Sequence, residues 1–391
     1  MMPPKKQAKL VLLIVIILVF GIASMFYLKQ NSKQQTPESI LHNPISHSLT
    51  AKLVDPSGKV KTTSTSTTGV VTLNFFALLL DNWMGLSEAT YSPQGPLPFT
   101  YTDGSTGTQI DTEYEGIGSR NCRIAVGSGT GVPSPSDIDL FNRIATIGPL
   151  TERGYNTTHY WISLTATFTF ESNTTITEVG LFAFVWIASK YLLLVHDILD
   201  TPVSVSANES LDINYVIYFT APLTLQFLET FYKYLLSGIT QDSPSLKDVY
   251  GFSVSGFDFG IDYFDESYWQ KRDSVLERII MHIGASVGHF EIERYCLESI
   301  NQGGLHFQNY VEVTYRWNAS VFIISITASF NINTNCTISE IGIELYTDGD
   351  LSDDCDSDQF LIMYFPLDQS IQLTSGPNAI RLTVYFYFHL R

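Results

Sequence analysis

The chain states one stretch twice. Residues 162–181, ISLTATFTFESNTTITEVGL, lie without a gap over residues 324–343, ISITASFNINTNCTISEIGI. Ten of the twenty positions are identical; three of the others exchange one aliphatic residue for another and three exchange Ser and Thr. A match of that length at a fixed offset marks an internal duplication, so both copies must suit the same local fold. With short gaps the match extends further. Val126-Gly127 falls on Ile283-Gly284, Leu140 on Leu297, and Leu199-Asp200 on Leu367-Asp368. "TLNF" at 72–75 matches "TLQF" at 224–227, and "LDINYVIYF" runs beside "IRLTVYFYF". Two homologous modules follow, 72–221 and 222–391, each of ordinary domain size.

The repeated core reads as strand. Ile162, Leu164, Ala166, Phe168 and Phe170 alternate with Ser and Thr, and Ile324, Ile326, Ala328, Phe330 and Ile332 do the same. Successive side chains of a strand point to opposite faces, so this pattern predicts antiparallel sheet with one apolar and one wet face. The motif strand alternates as well, with Val179 and Leu181 on one side and Glu178 and Gly180 on the other. The last places Glu178 and Glu340 on the outer face. The expected fold class is all-β: two tandem homologous β-sandwich or jelly-roll-like modules with one or two short helices each. One helix per module is expected near 73–84 and 225–236. A second should follow "PSPSDIDLFNRI", capped by Ser136 or Asp137.

The first 33 residues differ in kind. Lys5, Lys6 and Lys9 precede nineteen uncharged residues, 10–28, long enough to span a bilayer. A transmembrane anchor is expected over 1–33; the alternative is a signal peptide cleaved after Gly21-Ile22-Ala23. Either sends the rest of the chain outside. Residues 34–71 read as a polar linker and Thr-rich stalk, with a small hairpin through Asp55-Pro56-Ser57-Gly58. The net charge of −17 and the seven Lys or Arg between residues 62 and 270 argue against nucleic-acid binding. Charged residues are 16% of the chain against 13% aromatic, which suits a glycosylated extracellular surface of Ser, Thr and Tyr. Five sequons carry Asn156, Asn173, Asn208, Asn318 and Asn335, candidate glycosylation sites. Asn173 and Asn335 are equivalent in the two modules. The other explanation for them is turn chemistry alone. Four cysteines, Cys122, Cys296, Cys336 and Cys355, allow three pairings, and none occupies an equivalent position in both copies.

Candidate chemistry is thin. "GASVG" at 284–288 matches the nucleophile-elbow pattern around Ser286, but that device needs a parallel sheet. "VGSGTG" at 126–131 lacks the Gly-Lys-Ser/Thr ending of a phosphate loop. His282 and His289 stand near each other without a metal-ligand spacing. The acidic loop 347–358 offers Asp348, Asp350, Asp353, Asp354, Asp356 and Asp358, the type of oxygen cluster Ca2+ takes. A solvated hairpin tip is the plainer explanation, and no other cofactor is expected. The stretch 250–269 interleaves aromatic and acidic residues. Tyr250, Phe252, Phe257, Phe259, Tyr263, Phe264, Tyr268 and Trp269 are its candidate interface residues. Packing of the insertion on its own module is the competing account.

"IAVGSGTGVPSPSDIDL", then "ITEVGLF", then an apolar strand and a final alternating strand resemble modules of phage and archaeal-virus structural proteins, among them tail-fibre, spike and turret components. Surface proteins of hyperthermophilic archaea carry similar modules. The resemblance implies a β-sandwich assembly unit with no catalytic residues. The expected function is a non-enzymatic, membrane-anchored, glycosylated structural protein of a virion or cell surface, partnered by itself or by other surface components. The alternative is an adhesin or receptor-binding protein that meets a glycan or protein through loops of the second module.

Overall fold

The computed structural model describes residues 44–84, 97–107, 122–185, 189–225, 228, 246–247, 253–254, 279–291, 293–301, 304–347, 358–376 and 379–390. The expected anchor at 1–33 lies outside them. So do the whole aromatic set from Tyr250 to Trp269 and the aspartates at 348–356. Among the described residues no helix is long and apolar enough to cross a membrane.

The first half runs β1 (Ile45–Val54), β2 (Val60–Thr65), β3 (Val70–Val71), α1 (Leu73–Met84), β4 (Phe99–Thr100), β5 (Thr106–Gly107) and β6 (Cys122–Gly127). It continues through β7 (Arg143–Ile147), β8 (Leu150–Tyr155), β9 (His159–Thr169), β10 (Thr174–Val185), β11 (Lys190–Val205) and β12 (Ser210–Thr220). The second half has β13 (Leu246–Lys247), β14 (Ser253–Val254), β15 (Ile279–Gly284), α2 (Glu298–Asn301) and β16 (His306–Trp317). It ends with β17 (Val321–Phe330), β18 (Cys336–Thr347), β19 (Asp358–Leu373) and β20 (Ile380–His389). The fold is mostly β, in antiparallel sheets. The first half carries β2-β1-β12-β9-β8 and β3-β11-β10-β6-β7; the second carries β19-β18-β15-β16-β17-β20.

The duplication survives at the level of register. Leu164 pairs with Tyr215 across β9 and β12, and the residues aligned with them, Ile326 and Val384, pair across β17 and β20. Gly180 pairs with His196 and Gly342 with Tyr364, again at matching positions. The alternation decides which side chains go inside. Ile162, Leu164, Ala166 and Phe168 are buried, as are Ile324, Ile326, Ala328 and Phe330, while Thr167, Thr169 and Ser329 face water.

Three expectations are corrected. Residues 45–65 are no linker or stalk: β1 pairs with β12 over ten residues and turns through Asp55–Lys59 into β2. The alternation Ile45, Leu49, Ala51 and Leu53 buries one face of β1 in the core, so the strand is part of the fold. Second, no helix follows 133–144. Backbone N–H groups of that segment bond to a side chain on β10, and a turn closes at Ser134–Asp137 instead. Third, Glu178 and Glu340 do not decorate an outer surface; both are fully buried beneath a loop.

The helix at 73–84 forms where expected, from a run without proline, glycine or β-branched residues. It buries Phe75, Phe76, Ala77, Leu78 and Leu80. Phe76 stacks on Phe322 at 4.3 Å and lies 5.3 Å from Phe388, so the helix of the first half packs on strands of the second. Burying one such ring contributes about 1.5–3 kcal/mol. A single apolar cluster accordingly runs through both halves. Thr72 and Thr224, the matching residues before each "L-x-F", donate their hydroxyls to Leu193 O at 2.6 Å and Leu361 O at 2.7 Å.

Candidate functional site

The repeated Glu-x-Gly of β10 and β18 builds the most organised polar cluster in each module. Glu178 Oε1 accepts the backbone N–H of Gly129 at 2.8 Å and of Asn142 at 2.7 Å. Its Oε2 accepts Phe141 N–H at 2.9 Å and His196 Nε2 at 3.0 Å. His196 Nδ1 meets Asp137 Oδ2 at 2.7 Å, and that oxygen also takes the N–H of Ser134. One carboxylate therefore ties both ends of the 128–142 loop to the sheet, and a histidine between two acids ties its middle.

The electrostatics follow from the contacts. Burial pushes the Glu178 carboxyl up, but the bonds from His196 and from three backbone N–H groups outweigh it and hold the group below its usual 4.5. Burial pushes His196 down, yet Asp137 and Glu178 outweigh that and lift it to about 9. Near neutral pH the ring is an imidazolium donating from both nitrogens. Its sheet partner is Gly180, where a Cβ would overlap Leu140 of the loop. At Gly127 a Cβ would strike the Glu178 carboxylate, which passes over that backbone.

The second module repeats the device with other partners. Glu340 Oε1 accepts Ser299 N–H at 2.7 Å, and Oε2 accepts Glu298 N–H at 2.9 Å and the Tyr364 hydroxyl at 3.1 Å. Tyr364 stands at the position of His196. Gly284 repeats Gly127 beneath the carboxylate, and Gly342 leaves room for Leu297 as Gly180 does for Leu140. The repeated Val/Ile-Gly, Leu and Glu-x-Gly thus describe one construction: a carboxylate fastens a covering loop, and glycines let loop and carboxylate lie flat on the sheet.

Two further buried clusters belong to one module each. Asp197, on β11, accepts the Tyr215 hydroxyl at 2.7 Å and meets His47 Nε2 of β1 at 3.3 Å. Burial raises Asp197, but His47 and Tyr215 outweigh that and hold it below its usual value. Its counterpart in the second module is Phe365, packed edge-on against Phe386 at 5.5 Å. Conversely, the buried Ala125 and Phe182 of the first module become His282 and Glu344 in the second. His282 Nδ1 lies 3.3 Å from Glu344 Oε1, and neither oxygen of Glu344 has a hydrogen-bond donor among the described residues. Burial alone pushes Glu344 up to about 8.

The chemically suggestive residues fall elsewhere. Ser286 follows an antiparallel strand at a bend, with no helix behind it. Cys122 and Cys296 are free and buried, and burial pushes both thiols up to about 12, which makes them poor nucleophiles. Cys336 is free as well. Of the acidic loop only Asp358 is described, at the start of β19, and among the described residues no cluster of three His, Cys, Asp or Glu could hold a metal ion. All five sequon asparagines are exposed at turns.

Asn156 and Asn318, six residues upstream of the ungapped match and at the same offset, prove to be a second equivalent pair. Asn156 Oδ1 accepts the N–H groups of Thr158 and His159, both at 2.9 Å; Asn318 Oδ1 accepts those of Ser320 and Val321 at 2.8 and 3.0 Å. Sequence reasoning also passed over His196, Asp137, Asp197 and His47. Their signal was present only as polar residues at inward or loop-facing positions of otherwise apolar strands.

No protein-family model matches the chain, and no curated protein or solved structure matches it either.

Proposed function

We propose that the chain is a non-enzymatic structural subunit, held at a virion or cell surface by its N-terminal segment and acting through association of its β-rich body. Tandem homologous sandwich modules give such a subunit length, and the module was duplicated as a scaffold. The carrying observation is the use to which Glu178 and Glu340 are put. A duplicated acid that served chemistry would face a cleft and keep a lone pair for a ligand. These two are fully buried and taken up by the backbone of their own module's loop. His196, Asp197 and Glu344, which are shifted as well, are buried too. Exposed sequons at equivalent hairpin turns suit a glycosylated exterior.

The test is negative-stain electron microscopy of the full chain in its native envelope, with peptide mass mapping of the five sequons. Ordered particles or filaments with occupied sequons support the proposal. Isolated single copies that bind a glycan array would replace it with an adhesin.

A further inference from the structure

The outer edge of the last strand differs between the modules. In the first, β12 is covered along its whole length by β1, with Ile45 opposite Phe219 and Val54 opposite Ser210. The sheet then ends at β2, six residues long, broken by a bulge and carrying Lys61. Short, charged and bulged strands are how proteins close an edge. In the second module β20 pairs with β17 on one side, and among the described residues no strand lies on the other. Its ten residues hold Arg381 and His389 at the ends and only Leu, Thr, Val, Tyr and Phe between them. There is no proline, lysine or bulge in the ladder to β17.

We propose that two copies of this chain pair edge to edge through β20 across a two-fold axis, joining their sheets into one. This rests on the reading of the chain as an associating subunit. Three observations select that occupant. A second copy's β1 is a poor candidate: β1 already makes a ten-residue ladder in its own molecule. Its His47 is also received by the buried Asp197, whose counterpart beside β20 is Phe365. Second, the other edges among the described residues are protected. β19 carries Pro366 and Asp368, β8 is short and carries Glu152 and Arg153, and β7 and β8 are parted by Gly148-Pro149. Third, β20 is self-complementary. Antiparallel pairing of β20 with itself can set Leu382, Val384, Phe386 and Phe388 toward the joined cores. Thr383, Tyr385 and Tyr387 then meet on the outer face, as aromatic and Thr cross-strand pairs favour. Such a contact is isologous and closes after two copies.

The experiment is the molecular mass of the full chain in detergent by light scattering, for the wild type and for the double variant Tyr385→Lys, Tyr387→Lys. Both tyrosines are half-buried on the outer face and outside the apolar core. The wild type is expected at twice its 43.8 kDa after the detergent is subtracted. The lysine variant is expected at one copy, with its β-sheet circular-dichroism spectrum unchanged and its unfolding midpoint no longer dependent on concentration. Tyr385→Cys should form a disulfide-linked dimer on mild oxidation that the wild type does not form. A dimer that persists in the lysine variant and a Tyr385→Cys chain that fails to cross-link would overturn the β20 contact and leave the subunit proposal standing. A wild type that is a single copy at every concentration, with no ordered particles in its native envelope, would overturn both.

Discussion

Module one covers the outer edge of its last strand with β1 and β2, whereas among the described residues no strand covers the same edge of β20 in module two. The two modules also differ at the strand between their sheets. In module one Gly148-Pro149 parts β7 from β8, so each short strand serves one sheet. Proline has no N–H to give a ladder. In module two β16 runs through that point, pairing first with β15 and then with β17, and the described strands β15 to β20 join in one six-stranded sheet. A third difference is chemical. Beneath the covering loop, module one packs Ala125, Phe182, Leu140 and Leu193 together. Module two sets the acid Glu344 and His282 in the corresponding place. What stays constant is the carboxylate that fastens the loop. The duplication therefore preserved what holds a loop on a sheet and let the edges and the buried pair diverge.

The largest expected effect sharpens that constant. Replacing Glu178 with alanine leaves three backbone N–H groups and a buried imidazolium without their acceptor. Stripping one partner from a buried charged pair costs about 3–5 kcal/mol. Glu340→Ala strips two N–H groups and a neutral hydroxyl, so its cost should be smaller, about 1–3 kcal/mol. Urea unfolding of the two variants checks the order. Equal losses would mean that His196 adds nothing that Tyr364 does not.

How much of this was legible follows from what each residue's signal depends on. The period-two alternation of 162–170 marks β9 because a strand with one wet face writes its burial directly into sequence. The Gly and Leu of each loop were legible as matches but not as a mechanism. Glu178 reads as an outward residue by parity, and parity is right; the loop that covers that face comes from 128–142, which no local period announces. β1 reads as linker because His47 interrupts its inward row, although Ser46, Ser48 and Lys52 fall at outward positions. The strand becomes visible only once Asp197 and β12 are known to receive it.

The buried pair of module two gives the next test. Carrying module one's residues across, His282→Ala with Glu344→Phe, replaces a buried acid without a hydrogen-bond donor among the described residues, and the His282–Gln308 bond beside it, with apolar packing. Such exchanges are neutral or stabilise by about 1–4 kcal/mol. A rise in the unfolding midpoint at neutral pH is expected. A fall of similar size would mean that module two has grown around the acid and that the two sites no longer correspond in shape.

The two buried acids Glu178 and Glu344 should also answer pH in opposite senses. Glu178 is held below its usual 4.5, so its contribution is present above that pH and is lost as acid protonates it. His196, lifted from 6.5 to about 9, contributes fully below 6.5 and loses that contribution as pH rises toward 9. Glu344, raised from 4.5 to about 8, favours folding when protonated, so its contribution is full below 4.5 and is lost as pH climbs to about 8. Urea midpoints measured against pH should therefore fall less steeply between 4.5 and 8 for Glu344→Gln than for the wild type. Superimposable curves would place Glu344 in contact with water.

The smallest effect is expected where the modules agree. Asn156 and Asn318 occupy equivalent hairpin turns and accept equivalent pairs of backbone N–H groups. Both are exposed, so each lost acceptor can be replaced in part by water, and Asn→Gln at either site should cost about 1 kcal/mol or less. Measured on chain made without glycosylation, the loss at Asn156 should be slightly the larger, because its Oδ1 also accepts the Thr158 hydroxyl at 3.1 Å. Measured on chain from its native source, any excess at one site reports a sugar that orders that turn. A larger loss at Asn318 in the unglycosylated chain would instead show that what packs behind the two turns outweighs the extra Thr158 bond.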